Sequence, residues 1–306
     1  MSHEGLKTQT PEQSQASSEV IAQAFATAQD DLRTLTFDKD FHKDLDTHGM
    51  PDPFDAIGTP RYLAVLADYS RTHLDTLINS DLKVDRLRLH TLKLMASVPT
   101  FLHAKYALDS GAKLNPVQVH SARLKVSRFN GQVAEFVTAY PQARVEDVSK
   151  ALLGSVNATV ENKRVREASF GMLSRTLFGI RHELAQGQLL KHLQETTGRQ
   201  FRTTTIQEDL EGADYIVQGD RVPTLILDVK GSSNQASQSS NYNGYYAIDR
   251  GAIRLRSLLS EQDFRGKFFV PEQVAAARAP QLDHILKLAE LEMVNPNEFR
   301  SLTQAR

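Results

Sequence analysis

The chain has 306 residues, of which 40% are hydrophobic and 24% charged, so it can bury a core. It contains no Cys, which excludes disulfides, thiol catalysis and Cys-based zinc sites. The formal net charge is −1, so any surface that binds nucleic acid must be local. The sequence has no apolar run of membrane-spanning length and no signal-peptide pattern at its start, so we expect a cytoplasmic protein without membrane contact.

The first half of the chain is expected to be helical after a short tail. Residues 1–18 are rich in Ser, Gln and Thr, which predicts a disordered segment. Over residues 19–160 apolar side chains recur at helical spacing, and clusters of Gly and Pro mark the breaks between helices. We interpret residues 19–160 as a helical domain that serves target recognition or dimerisation.

The second half, residues 161–306, predicts a mixed α/β domain. An amphipathic pattern over residues 161–197 indicates one or two helices, which Gly198 is expected to end. β-branched and aromatic runs then predict strands, and longer apolar periodic runs predict helices. In chain order these are strands at 200–206, 214–218 and 224–230, a helix at 245–259, a strand at 267–270 and a helix at 282–294.

Two acidic residues are expected to face each other across a hairpin. Centring the turn between the second and third predicted strands on Arg221 pairs Asp214 with Asp228. Alternation along the strand puts Asp228 and Lys230 on one face. Facing carboxylates repel, and a divalent cation such as Mg²⁺, which prefers oxygen ligands, would relieve that repulsion. The Val229 carbonyl is a further candidate ligand.

The same residues have a purely structural interpretation. Asp214 could be a turn residue, and Asp228 with Lys230 a strand-end ion pair, because a D-x-K tripeptide is short and frequent. The site is favoured because the pattern has more parts: an apolar lead-in, an acid 14 residues upstream, a turn between them and a preceding amphipathic helix. The sequence therefore predicts two acids and one base around a site for a metal and a phosphate.

This arrangement resembles the PD-(D/E)xK nuclease superfamily, whose members share the restriction-endonuclease-like fold. Members have an Asp on one strand and a D/E-x-K on the next, and Asp214, Asp228 and Lys230 match those positions. The predicted order helix, three strands, helix, strand matches the common core over about residues 165–270. Ala213 stands where the nominal motif has Pro. The resemblance implies an α/β fold with a mixed-sheet, restriction-endonuclease-like core at 161–306, preceded by the all-helical domain.

The resemblance also implies Mg²⁺-dependent hydrolysis of phosphodiester bonds, with Mn²⁺ as a substitute cation. Asp214 and Asp228 would hold the cation, and Lys230 would orient the attacking water, help to deprotonate it or stabilise charge on the phosphate. Superfamily members often add a Glu on the first core helix, and Glu183 is the candidate for this catalytic and metal-binding position. An exposed helix acid paired with a nearby base is the alternative for Glu183.

Polar and basic residues around the motif are candidate contacts to nucleic acid. Arg175 and Arg181 lie on the helix that leads to Glu183, where guanidinium groups could meet phosphates, and a solvated helix face is the alternative. The polar segment after Lys230 has side chains that donate to phosphates and base edges, and its alternative is a flexible linker. The candidates there are Ser232, Ser233, Asn234, Gln235, Asn241 and Tyr242, followed by Arg250, Arg254 and Arg256 on the expected helix.

The predicted function is a metal-dependent endonuclease that cuts duplex DNA in the manner of a type II restriction enzyme. Because duplex cutting requires two strands to be cleaved, a homodimer is expected. The alternatives are a nuclease of DNA repair or phage biology, an RNase, and a catalytically inactive nucleic-acid-binding protein on the same fold. The last of these predicts binding without cutting under any divalent ion. The sequence has no G-x-x-x-x-G-K-[ST] motif, which disfavours an ATP-driven motor.

Overall fold

The protein is a mixed α/β chain with a five-stranded mixed sheet, described from a computed structural model. The structure describes residues 19–27, 83–109, 113–159, 163–231 and 245–304, and nine helices lie within these ranges. The chain divides into two compact units, Met1–Leu177 and Phe178–Arg306. The tail expected at residues 1–18 lies outside the described residues. None of the described helices combines the length and apolar character that crossing a membrane requires.

The described elements of the first unit are helices. They are α1 at residues 19–27, α2 at Lys83–Asp109, α3 at Pro116–Ala139, α4 at Val145–Thr159 and the beginning of α5, Lys163–Thr197. Helix α3 begins at a capping box, in which Asn115 and Gln118 each accept a hydrogen bond from the other's backbone N–H. The core of this unit includes Phe101 stacked on Phe129, with ring centroids 4.1 Å apart.

Helix α5 is continuous and ends where the sequence predicts. Its terminal residue is followed by Gly198, which has φ 76° and donates its N–H to the Gln194 carbonyl at 3.0 Å. A positive φ is accessible to glycine without strain, so this residue closes the helix. The apolar stripe of α5 is buried at Leu173, Leu177 and Ile180, whereas Phe170, at the edge of that stripe, is 54% exposed.

Three short elements and a longer strand follow α5. They are β1 at Phe201–Thr203, α6 at Ile206–Leu210, β2 at Tyr215–Val217 and β3 at Leu225–Lys230. Strand β2 pairs antiparallel with both β1 and β3. Tyr215 lies opposite Leu227 and Val217 opposite Leu225, which confirms the predicted register of the hairpin. The first predicted strand is shorter than expected, because Thr205 caps the N-terminus of α6 within that run.

The helix predicted at residues 245–259 is wrong. This range forms a hairpin of β4, Tyr246–Asp249, and β5, Ala252–Arg256. Both residues of the intervening turn, Arg250 and Gly251, have positive φ, as a type I′ hairpin turn requires. The alternating burial of β5, with apolar residues inside and arginines outside, is the period-2 signal of a half-buried strand.

The strand predicted at residues 267–270 is also wrong. These residues lie in the connection between α7, Glu261–Phe264, and α8, Glu272–Val294. Phe268 and Val270 are buried, so their apolar character reflects core packing without strand pairing. The closing helix predicted at 282–294 is confirmed as the second half of α8, and α9 follows at Pro296–Gln304.

The five strands lie in the order β1-β2-β3-β5-β4, and β5 runs parallel to β3. One face of this sheet packs on helices α5 and α8. The cluster that joins them includes Tyr215, Val217, Leu227, Val229, Ile253 and Leu255 from the strands, Ala185, Leu189 and Leu190 from α5, and Ala279, Leu282 and Ile285 from α8. Because side chains alternate along a strand, the residues between these point to the other face of the sheet. Asp228, Lys230, Arg254 and Arg256 share that second face.

Candidate functional site

Asp214 is connected to the D-x-K strand by two hydrogen bonds. Its backbone N–H donates to the Leu227 carbonyl at 2.7 Å, and its carboxylate accepts the Val229 N–H at 2.5 Å. The register of β2 and β3 places Asp214 across from Asp228, one position beyond the last paired residue. The hairpin therefore brings the upstream acid to the middle of the D-x-K motif.

Three carboxylates converge next to this hairpin. Glu183 on α5, Asp209 on α6 and Asp214 each offer one oxygen, and these oxygens lie within 4.8 Å of one another. Two of the three are residues that the sequence analysis singles out. The sequence analysis did not identify Asp209 as a site residue. The local signal there is the helix cap at Thr205, which does not indicate that α6 lies beside Glu183 and Asp214.

Tyr215 fixes the helix that carries Glu183 against the sheet. Its hydroxyl donates to the Glu183 carbonyl at 2.9 Å. One turn further along α5, a Cβ on Gly187 would lie 2.6 Å from the Tyr215 Oη, so glycine is required for this close approach. The contact holds the Glu183 backbone beside the start of β2, where Asp214 lies.

Burial and mutual repulsion control the protonation of the Glu183 and Asp214 carboxyls. Burial, together with the neighbouring charge of Asp214, raises the pKa of Glu183 well above its ordinary value. Burial also raises the pKa of Asp214, and hydrogen bonds from Glu183 and the Val229 N–H oppose that rise. The Tyr215 hydroxyl has a raised pKa because it is buried beside the same acids. The site thus holds more acidic groups than it can ionise without a compensating positive charge.

Asp228 is ion-paired on both of its oxygens. Its Oδ1 contacts the Lys230 ammonium, and its Oδ2 lies 3.5 Å from the Arg254 Nε. The structure therefore brings Glu183 and Asp214 together as predicted partners, but it directs Asp228 towards cations. A role for the Val229 carbonyl as a ligand stays a prediction, and its N–H is the group that contacts Asp214.

The predicted contacts to nucleic acid have different outcomes. Arg175 is exposed on α5, within the first unit. Arg181 is buried, pairs with Glu261 and lies 4.3 Å from the ring centroid of Phe264, so its guanidinium is not presented to solvent. The remaining candidates, Ser232, Ser233, Asn234, Gln235, Asn241 and Tyr242, lie outside the described residues.

The buried side chains of His182 and Ser257, which the sequence analysis did not identify, lie at the end of β3. The Ser257 N–H donates to the Lys230 carbonyl at 2.9 Å, and Ser257 Oγ lies 2.7 Å from His182 Nδ1. Gly231, the residue after Lys230, lies so close to α5 that an added Cβ would be 2.5 Å from Phe178. Desolvation, with the nearby Arg181 charge, lowers the pKa of His182 to about 4, so the imidazole is neutral at physiological pH.

The donor set of the carboxylate cluster suits a hard divalent cation. Glu183, Asp209 and Asp214 supply only oxygen atoms, and the raised pKa values of Glu183 and Asp214 signal a need for positive charge. Comparison with family models, with curated proteins and with solved structures gave no match to this chain.

Proposed function

We propose that this chain is a Mg²⁺-dependent phosphodiesterase that hydrolyses DNA, an endonuclease with the duplex-cutting chemistry of type II restriction enzymes. The observation that supports it most is the convergence of Glu183 and Asp214 beside a D-x-K strand. Acids from two neighbouring elements can hold a divalent cation that polarises a phosphate, and Lys230, two residues beyond a third acid, adds positive charge beside it.

The cation is expected to bind between Glu183, Asp209 and Asp214, with Mn²⁺ as a substitute for Mg²⁺. The chemistry that a bound cation supplies is polarisation of the phosphate and a lower pKa for a water molecule. Asp228 lies close enough to Asp214 to raise the pKa of that carboxyl, so it belongs to the same electrostatic site. Its contribution as a ligand requires that it release one of its cationic partners.

Lys230 is the residue proposed to act on the reacting groups. Its side chain is 44% exposed at the end of β3 and shares a face with Asp228. From there it can donate hydrogen bonds to a phosphate oxygen or to the attacking water, and its charge offsets the charge that develops on the phosphate. Ser257, through the Lys230 carbonyl, and Gly231, through its contact with Phe178, fix the strand end that carries this ammonium.

The arrangement of elements around the site supports a restriction-endonuclease-like core as part of the proposal. A long helix precedes three antiparallel strands, and a further strand, β5, lies parallel to β3. The connection to β5 contains β4 where the resemblance implies a helix. We propose the N-terminal helices as an all-helical domain for recognition or dimerisation, and a homodimer as the form that cuts both strands.

The test is cleavage of supercoiled plasmid and mixed genomic DNA in Mg²⁺ or in EDTA. Asp228→Ala and Asp214→Asn are compared with Glu195→Gln, an exposed acid on α5 at the far end from Glu183. We expect cutting that requires Mg²⁺, is lost in both site variants and is retained in the control. Linear duplex, single-stranded DNA and RNA run beside the plasmid distinguish a restriction-like enzyme from a repair or phage nuclease and from an RNase.

A nucleic-acid-binding protein without catalysis is the second candidate, because Asp228 is ion-paired with both Lys230 and Arg254. In that case the protein binds the same substrates and cuts none of them under Mg²⁺ or Mn²⁺. Absence of cutting by the wild-type protein, or equal cutting by Asp228→Ala, contradicts the proposed hydrolysis.

A further inference from the structure

Two arginines of β5 lie beside the D-x-K motif on one face of the sheet. The parallel register of β3 and β5 pairs Asp228 with Arg254 and Lys230 with Arg256. Paired residues of neighbouring strands point to the same face, about 5 Å apart. The opposite face is the one packed on α5 and α8.

These cations are accessible from solvent. The Lys230 and Arg254 side chains are 44% and 45% exposed, and Arg256 is also exposed. Ile226, further along the same face of β3, is 37% exposed. Asp228, which Lys230 and Arg254 both contact, is only 10% exposed, so the two cationic side chains are the more accessible members of this group.

The charges on this surface favour a polyanion. The Arg254 guanidinium divides its contacts between Asp228, at 3.5 Å from Nε, and Asp249, at 2.8 Å from Nη2. Lys230, Arg254 and Arg256 thus place three cationic groups side by side on this surface, beside the carboxylates of Asp228 and Asp249. The Arg254–Asp249 pair joins side chains that are 45% and 41% exposed, and such pairs contribute little free energy, so a phosphate can replace Asp249 at small cost.

We propose that Arg254 and Arg256 bind consecutive phosphates of a nucleic-acid backbone and align it with Lys230. This inference rests on the proposed function, because it takes nucleic acid as the substrate of the same site. Arg254 and Arg256 stand two positions apart on one strand, so they follow the backbone direction of a strand laid along β5. Phosphate contacts of this kind determine position and affinity, and they do not read sequence.

The experiment measures binding of a fluorescent duplex oligonucleotide in EDTA, across salt concentrations, for the full-length chain. The variants are Arg254→Ala, Arg256→Ala and Arg254→Lys, and Lys287→Ala on α8 is the control because that exposed cation lies on a helix of the covered face. Each lost phosphate contact reduces the slope of log K against log salt by about 1. Between 50 and 200 mM salt, the affinity of each alanine variant should then fall roughly 3.5-fold less than that of the wild type.

Retained slopes in both alanine variants, or an equal change in Lys287→Ala, overturn the proposal. Because Arg254→Ala leaves Asp228 and Asp249 with fewer cationic partners, its folding is checked by thermal unfolding. If it does not fold, the Arg256→Ala slope decides. Arg254→Lys keeps the charge and is expected to retain the wild-type slope.

Cleavage is measured on the same samples, so that failure of the proposed backbone contact can be distinguished from failure of the proposed nuclease activity. Metal-dependent cutting with unchanged slopes in the arginine variants overturns the backbone contact and leaves the nuclease. Binding whose slope falls in both variants, without cutting by the wild type, supports the backbone contact and overturns the nuclease. A wild-type protein that neither binds nor cuts overturns both.

Discussion

The Asp214 carboxylate accepts the backbone N–H of Val229, 15 residues along the chain and in the middle of the D-x-K motif, at 2.5 Å. This bond joins the upstream acid to the strand that carries Asp228 and Lys230. It also shows that Asp214 has two separate roles: an acceptor that completes the hairpin and a charge in the carboxylate cluster. Substitutions can separate the two.

We expect Asp214→Asn to preserve the hairpin and to abolish cation binding. The amide oxygen can still accept the Val229 N–H, so the free energy of unfolding should change by less than about 1 kcal/mol. Asp214→Ala leaves that N–H without its acceptor and should cost about 1–3 kcal/mol. Urea unfolding in EDTA measures both values, and Glu211→Gln, an exposed acid after α6, is the control.

The thermal midpoint with and without Mg²⁺ measures the second role. A ligand at 100 times its Kd stabilises a folded protein by about 2.7 kcal/mol, so the wild-type midpoint should rise with Mg²⁺. We expect no rise for Asp214→Asn. An undiminished rise in this variant would mean that the cation binds elsewhere.

In the metal-free protein, the stability of Glu183→Gln relative to the wild type should increase as the pH rises. The pKa of Glu183 in the folded chain is raised above its ordinary value of 4.5, so the folded state favours the protonated carboxyl. The stability that this group contributes is present below that ordinary pKa and is lost as the pH rises through the raised folded value. Thermal unfolding in EDTA at pH 5 and pH 8 should show the larger advantage of the variant at pH 8. Glu195→Gln, on the exposed side of α5, should show no such trend.

His182→Asn should reduce the acid sensitivity of the fold. The imidazole has a pKa of about 4 when folded and an ordinary value of 6.5, so protonation favours the unfolded chain. Stability from this group is complete above pH 6.5 and is lost as the pH falls towards 4. The wild type should lose about 3 kcal/mol more than the variant over that range, because each pKa unit corresponds to about 1.4 kcal/mol. Urea titrations at pH 7, 5.5 and 4 measure this difference, and His284→Asn, at an exposed position of α8, is the control.

Gly231→Ala should destabilise the end of β3 through a steric clash. The new Cβ would lie 2.5 Å from Phe178 Cε1 and 3.0 Å from Cδ1. Overpacking of this kind typically costs about 1–3 kcal/mol. Gly179→Ala is the matched control, because an added Cβ there meets no atom of the described residues within 4 Å and helix propensity favours Ala by about 1 kcal/mol. A second substitution, Phe178→Leu, should recover part of the loss, and unfolding midpoints test the order of the four proteins.

The β2–β3 hairpin shows what local sequence can determine. Its register follows from a turn-forming segment between two alternating runs, so the position of Asp214 across from Asp228 was predictable. The end of α5 at Gly198 was also predictable from a local signal, because glycine adopts a positive φ without strain. In each case the deciding residues lie within a few positions of one another.

The β4–β5 hairpin shows the limit of local signals. The run that forms it contains apolar residues compatible with a helix, and only the turn at Arg250 and Gly251 and the alternation in β5 pointed to strands. The parallel pairing of β5 with β3 is a contact between residues about 26 positions apart. Tertiary packing overrides weak local propensity in such cases.

By itself, the sequence determined a mixed α/β second half, the hairpin register and the acid–acid–lysine pattern of Asp214, Asp228 and Lys230, because these depend on alternation and turn chemistry within one short segment. Only the tertiary structure decided that Asp209 joins the carboxylate cluster and that Arg254 contacts Asp228. It also decided that Arg181 is buried, because packing against Phe264 and pairing with Glu261 involve residues some 80 positions away. Such contacts exist only once the whole core has formed.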